Sequence, residues 1–154
     1  MSKLTHIDAE GNSRMVDILG KPLVKRVAVA QGYIRLSPNS LEVVRSGVSH
    51  KGDVLSIAQL SGIMGTKHTA SLIPLCHPIP IDQVSVELVP DDTGVRITAT
   101  VGTVWKTGVE MEALTAVSTA ALTIYDMLKA IDKDMVIQEI FLLEKSKTPL
   151  EQPI

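Results

Sequence analysis

KTGVEMEALTAVSTAALTIYDMLKA, residues 106–130, decides the architecture of this chain. It predicts one long helix, with Glu110 and Glu112 near its start and Asp126 and Lys129 near its end. From Ala113 to Tyr125 there is no charged residue. A helix on the outside of a small monomer usually carries a charged stripe along its whole length. At about 100° per residue, Leu114, Val117, Ala121, Ile124 and Leu128 form one apolar stripe suited to packing on a sheet. The opposite face holds Glu112, Thr115, Thr119, Thr123 and Asp126. Either this face is half exposed and polar through threonine alone, or another subunit covers it. Charged side chains are the usual surface choice, which favours the second reading and with it an obligate oligomer. Glu112 and Asp126 are separated by roughly 21 Å along the axis. They cannot serve one small site within a single subunit.

The elements around this helix complete a pattern. Val24 to Leu36 alternates as a strand rich in β-formers. Ser37 and Pro38 supply an N-cap and first helical position for a short helix through about Arg45. Asp53 can cap a second helix running toward Leu60, which Gly62 and Gly65 then weaken. Pro74, Pro78 and Pro80 forbid regular structure in IPLCHPIPI. Gln83–Val89 and Val95–Val104 alternate as strands around a Pro90–Gly94 turn, and Met135–Leu143 reads as a final strand. The order is βαββαβ, an α+β ferredoxin-like plait whose antiparallel sheet carries helices on one face. The reading is one domain over residues 1–154, with an N-terminal arm over 1–23 and a flexible tail over 146–154.

Composition narrows the function. A net charge of -2 argues against a nucleic-acid backbone binder, and 3% aromatic residues leave no stacking platform for single strands. The lone Cys76 excludes an intramolecular disulfide framework and fits a reducing compartment. The N-terminus has no apolar leader core and no stretch approaches a membrane span, so a cytoplasmic protein without a membrane partner is expected. His6, His50, His68, His77 and Cys76 lack metal-ligand spacing, so no metal site is expected.

Several residues remain as candidates for chemistry. Lys51, beside glycine and just before a helix N-terminus, suits an anion, although such a cap is more often plain surface. In Leu75-Cys76-His77-Pro78, a cysteine and a histidine are held stiffly by prolines. Neighbours in extended chain point to opposite sides, so His77 could not activate Cys76. His77 is the better functional candidate, as a donor or proton carrier. Asp126 and Lys129 sit at i and i+3 and can pair. Arg26, Lys51, Lys67, Lys129, Lys133, Lys145 and Lys147 supply more cations than the fold requires. Residue chemistry alone thus reaches an oligomeric plait with a pocket for a polyanion.

The combination of His50-Lys51-Gly52-Asp53, Leu75-Cys76-His77-Pro78, Lys106 to Leu114 and Leu122 to Met127 resembles the cyclic pyranopterin monophosphate synthase family, the molybdenum cofactor biosynthesis protein C family. The likeness runs from Leu4-Thr5-His6 to Leu143-Glu144-Lys145-Ser146. It implies a homohexamer, a trimer of dimers, with active sites at subunit interfaces. It implies a purine nucleotide-derived substrate, 3′,8-cyclo-7,8-dihydroguanosine triphosphate, rearranged to the cyclic pyranopterin with release of pyrophosphate. It implies no resident cofactor, leaving open whether Mg²⁺ accompanies the substrate phosphates. By the resemblance Asp126, Lys51 and Lys129 are catalytic. Leu75, Cys76, His77, Met111 and Glu112 contact substrate, and Glu110, Arg26, Lys67 and Lys145 occupy further pocket positions. A lysine desolvated among other cations would have the lowered pKa that proton transfer needs. The ending SKTPLEQPI departs from the glycine-rich ending common in that family. The competing reading is a non-catalytic plait that kept the fold and lost the chemistry.

Overall fold

Alternation of branched and small residues after Val24 produces β1 (Val24–Arg35). In the computed structural model, which describes residues 5–47 and 52–150, Ala28, Ala30 and Ile34 of this strand are buried and their neighbours turn outward. Ser37 accepts a hydrogen bond from the Ser40 N–H and starts α1 (Pro38–Ser46), which stops at Gly47 with φ of 67°. Asp53 accepts from the N–H groups of Leu55 and Ser56 and starts α2 (Val54–Lys67). This helix continues past the expected end at Leu60, and a short α3 (Thr69–Leu72) follows it. Then come β2 (Gln83–Pro90), β3 (Gly94–Trp105), α4 (Glu110–Leu128) and β4 (Val136–Pro149).

The sheet order is β2-β3-β1-β4 and each pairing is antiparallel. This is the expected plait. α4 lies across β1, β3 and β4, while α2 packs on β2 and against α4, so both long helices share one face. Val117, Ala121, Ile124 and Leu128 are buried as the apolar stripe required, with Leu114 only partly covered.

Three expectations need correction. Gly62 and Gly65 do not weaken α2 but let it approach α4. A Cβ at Gly65 would lie 2.9 Å from Thr119 Cγ2, and one at Gly62 would lie 3.0 Å from the Ala116 carbonyl. The threonine face of α4 is therefore covered by α2 of the same chain, not by another subunit. Thr123 Oγ1 donates to Ser61 Oγ at 2.7 Å, and Thr119 Oγ1 lies 3.3 Å from the Ser61 carbonyl. The stripe that α4 turns outward instead runs through Met111, Leu114, Ser118, Leu122 and Tyr125 to Lys129, with Leu122 59% exposed. Finally, β4 is longer than expected. Ser146, Lys147, Thr148 and Pro149 are paired with Val27, Arg26, Lys25 and Val24, so the tail expected from residue 146 is strand as far as Pro149. Two register shifts bend β4 on the way, and Glu139 there takes a φ of 55°.

Candidate active site

The proline-rich loop between α3 and β2 is fixed from both sides. Thr103 Oγ1 donates to the Pro80 carbonyl at 2.6 Å, and Asp82 accepts from the Val104 N–H at 2.8 Å. Held this way, Leu75, Cys76 and His77 face the start of α4. Together with Thr107, Gly108, Glu110, Met111 and Glu112 they bound a cavity of about 320 Å³. The segment before β1 supplies the remaining wall through Thr5, His6, Val16 and Lys21. His77 Nε2–H donates to the Val16 carbonyl at 2.8 Å, tying that segment to the loop.

Glu112 dominates the electrostatics of this cavity. Its residue is 3% exposed. Burial pushes its carboxyl from 4.5 up to about 7, its own backbone N–H opposes the rise, and the charge of Glu110 adds to it. Burial also pushes the Cys76 thiol upward, with the Glu112 charge contributing. Cys76 and His77 line the same cavity, yet the thiol is held away from thiolate and His77 Nε2 is committed to Val16. This is no Cys-His nucleophile.

A second cavity of about 290 Å³ adjoins the first and shares Gly108 and Glu110 with it. Arg26 and Val27 of β1 form one wall, and Lys145, Ser146 and Lys147 of β4 form another. Arg26 donates from Nε to the Trp105 carbonyl at 3.2 Å and from its terminal nitrogen to the Lys106 carbonyl at 3.3 Å. Lys145 Nζ lies 3.4 Å from Glu110 Oε1. The Glu110 carboxylate folds back over Gly108, in space that any Cβ at that position would occupy. One cavity therefore presents a carboxyl pushed up to about 7, and its neighbour presents cations suited to phosphate.

Asp126 and Lys129 lie at the other end of α4. Their side chains pair at 2.7 Å and are 60% and 58% exposed. The hydrogen bond from Lys129 to Asp126, then their mutual charge, raises the lysine pKa. The expected lowering by desolvation does not occur in the single chain. Lys67 stands apart again, bordering a third cavity with Ile63, Asp82 and Gln83 that meets the first only at Ile79. Lys51 and His50 lie outside the described residues.

Residues 15–148 match the MoaC family along nearly the whole chain. The chain belongs to the MoaC family. It is 58% identical over 147 residues to a cyclic pyranopterin monophosphate synthase of Dinoroseobacter shibae, covering 94% of this chain and 93% of that one. Its identity to a synthase of the same name from Jannaschia sp. is 59% over 139 residues, covering 89% and 85%. The corresponding figures for one from Thermomicrobium roseum are 55% over 148 residues, 95% and 89%.

For a MoaC-family chain, the folding of the candidate residues is uneven. Leu75, Cys76, His77, Glu110, Met111 and Glu112 converge on one cavity, and Arg26 and Lys145 join Glu110 at the next. Asp126 and Lys129 pair with each other at the far end of the helix, Asp126 roughly 21 Å from Glu112 along its axis. Sequence reading missed Thr5, His6, Val16, Lys21 and Thr107 as lining residues. Lys147 was visible only as one of a surplus of cations. Among the described residues no three His, Cys, Asp or Glu side chains gather as a metal would require. No described helix is long and apolar enough to cross a membrane.

Proposed function

We propose that this MoaC-family chain is a cyclic pyranopterin monophosphate synthase of molybdenum cofactor biosynthesis. It converts 3′,8-cyclo-7,8-dihydroguanosine triphosphate to the cyclic pyranopterin and releases pyrophosphate. One observation carries this reading. Relatives bearing that name match the chain nearly end to end at 55–59% identity, and the chain's loop and helix start fold into adjoining acidic and cationic cavities.

The guanine-derived edge of the substrate sits against Glu112, whose carboxyl can donate when protonated and accept when ionised. The phosphates take the neighbouring cavity, where Arg26, Lys145 and Lys147 neutralise the leaving pyrophosphate. Asp126 is the base of the rearrangement and Lys129 its acid partner, with Lys51 as the second essential lysine. Lys67 gives a further cation. The reading involves no resident cofactor, and it places the enzyme in the cytoplasm, as a single reduced cysteine suits.

The enzyme acts as a homohexamer, a trimer of dimers, a reading that the distance along α4 supports by favouring a site shared between copies. Met111, Leu114, Ser118, Leu122, Tyr125 and Lys129 fall within an arc of about 80°. That outward stripe, uncharged from Met111 to Tyr125, joins the Glu112 end to the Asp126–Lys129 end. A neighbour seated on it brings its own Asp126 and Lys129 toward the first cavity, where desolvation would lower the lysine pKa.

The test supplies the cyclised GTP intermediate and follows pyrophosphate release by wild type and Asp126→Asn. Wild type should turn over and the variant should be slowed about 10²–10⁴-fold. No release by wild type would refute the enzyme reading, and equal release by both would remove Asp126 from the mechanism.

A further inference from the structure

The segment over residues 5–23 has almost no regular structure, apart from an isolated bridge between Ile7 and Ser13, and is exposed along most of its length. It nevertheless forms a wall of the larger cavity. A stretch that buries so little apolar surface needs specific attachments to hold one position. Two side chains from the body of the protein attach its second half. His77 binds the Val16 carbonyl, and Lys106 Nζ donates to the Leu19 carbonyl at 2.9 Å. Between these points the backbone is tightly turned. Asp17 accepts from the Leu19 N–H at 2.8 Å, and the Lys21 N–H donates to the Ile18 carbonyl at 3.1 Å. The turn that Lys106 grips therefore ends at Lys21, which lines the cavity. Lys106 also works in the other direction, since its own carbonyl receives Arg26 of the phosphate-suited cavity.

We infer that Lys106 is a positioning residue that straps residues 16–21 across the substrate cavity and so sets Lys21 in its wall. It touches neither the reacting atoms nor the pyrophosphate. Its contribution is to substrate capture, through the strap on one side and Arg26 on the other. This inference rests on the synthase reading for its substrate, but the strap itself can be observed without turnover.

Two measurements on the full chain test it. Hydrogen exchange of the amides over residues 13–21 should speed up severalfold in Lys106→Met, which keeps the aliphatic length and loses the donor. With the cyclised GTP intermediate, KM should rise about tenfold, as expected for loss of one charge-assisted hydrogen bond, while kcat stays within about twofold. Lys106→Arg, which restores a charged donor to the Leu19 carbonyl, should recover slow exchange and most of the KM. Unchanged exchange in Lys106→Met would overturn the strap. A fall in kcat at constant KM would overturn the positioning role. A wild type that shows the exchange pattern but releases no pyrophosphate would refute the synthase reading and leave the strap standing.

Discussion

Replacing Glu112 by glutamine should stabilise the protein, and only at the higher end of the pH range. The side chain lies in a cavity wall, 3% exposed, and its carboxyl is pushed from 4.5 to about 7 chiefly by burial. A carboxyl with a folded pKa above its unfolded one binds more protons in the folded state, so stability falls as pH rises. The loss begins near 4.5 and is complete above about 7. At about 1.4 kcal/mol per pH over that interval, the ionised side chain costs on the order of 3 kcal/mol. Total stabilities run to about 5–15 kcal/mol, so the effect is measurable. Glutamine has nearly the same shape and no charge to desolvate. Thermal unfolding of wild type and Glu112→Gln should nearly coincide at about pH 5 and separate by roughly 6–12 °C at about pH 8. A gap of the same size at both pH values would refute the claim that burial of this charge destabilises the fold.

Other perturbations probe other links. Gly65→Ala adds helix propensity of about 1 kcal/mol but forces a methyl against Thr119, so a net loss of about 1–2 kcal/mol is expected in urea unfolding. A more stable variant would mean that α2 and α4 are not in close contact. Ser37→Ala removes the N-cap of α1 and should cost about 1 kcal/mol by the same assay, whereas Ser37→Thr, which keeps a neutral hydroxyl beside Asp132, should lose little. Glu112→Gln and Asp126→Asn chains, each deficient alone, should recover about a quarter of wild-type turnover when refolded together, because a site drawing one residue from each of two copies is intact about one time in four. No recovery would place both residues in one chain's site.

Much of this architecture is legible in the residues because local chemistry and tertiary packing agree. Ser37-Pro38 and Asp53 are capping signals with few alternatives, and the structure uses them as such. The period of Val117, Ala121, Ile124 and Leu128 fixes which side of α4 meets the sheet. Gly62 and Gly65 mislead because glycine weakens an isolated helix, while here its missing Cβ permits contact with α4. That same contact hides the threonines, and a composition argument cannot tell cover by one's own chain from cover by another. The loop and helix start announce themselves through Cys76, His77, Glu110 and Glu112. Lys21 and Lys106 do not, since a local turn places the first and the second is fixed by a carbonyl 87 residues away.

The pairing of β1 with the far end of β4 has a consequence for how the protein comes into being. Arg26 and Val27 stand on the first strand, and Lys145, Ser146 and Lys147 stand on the last described one. On a ribosome, Arg26 is made on the order of ten seconds before Lys147. Once Gly94–Trp105 has been made, β3 can pair with one side of β1, but the other side stays an open edge until β4 follows. The cationic cavity does not exist yet. The newborn chain thus carries a nearly complete core without its cationic cavity, which forms in the same event that closes its edge.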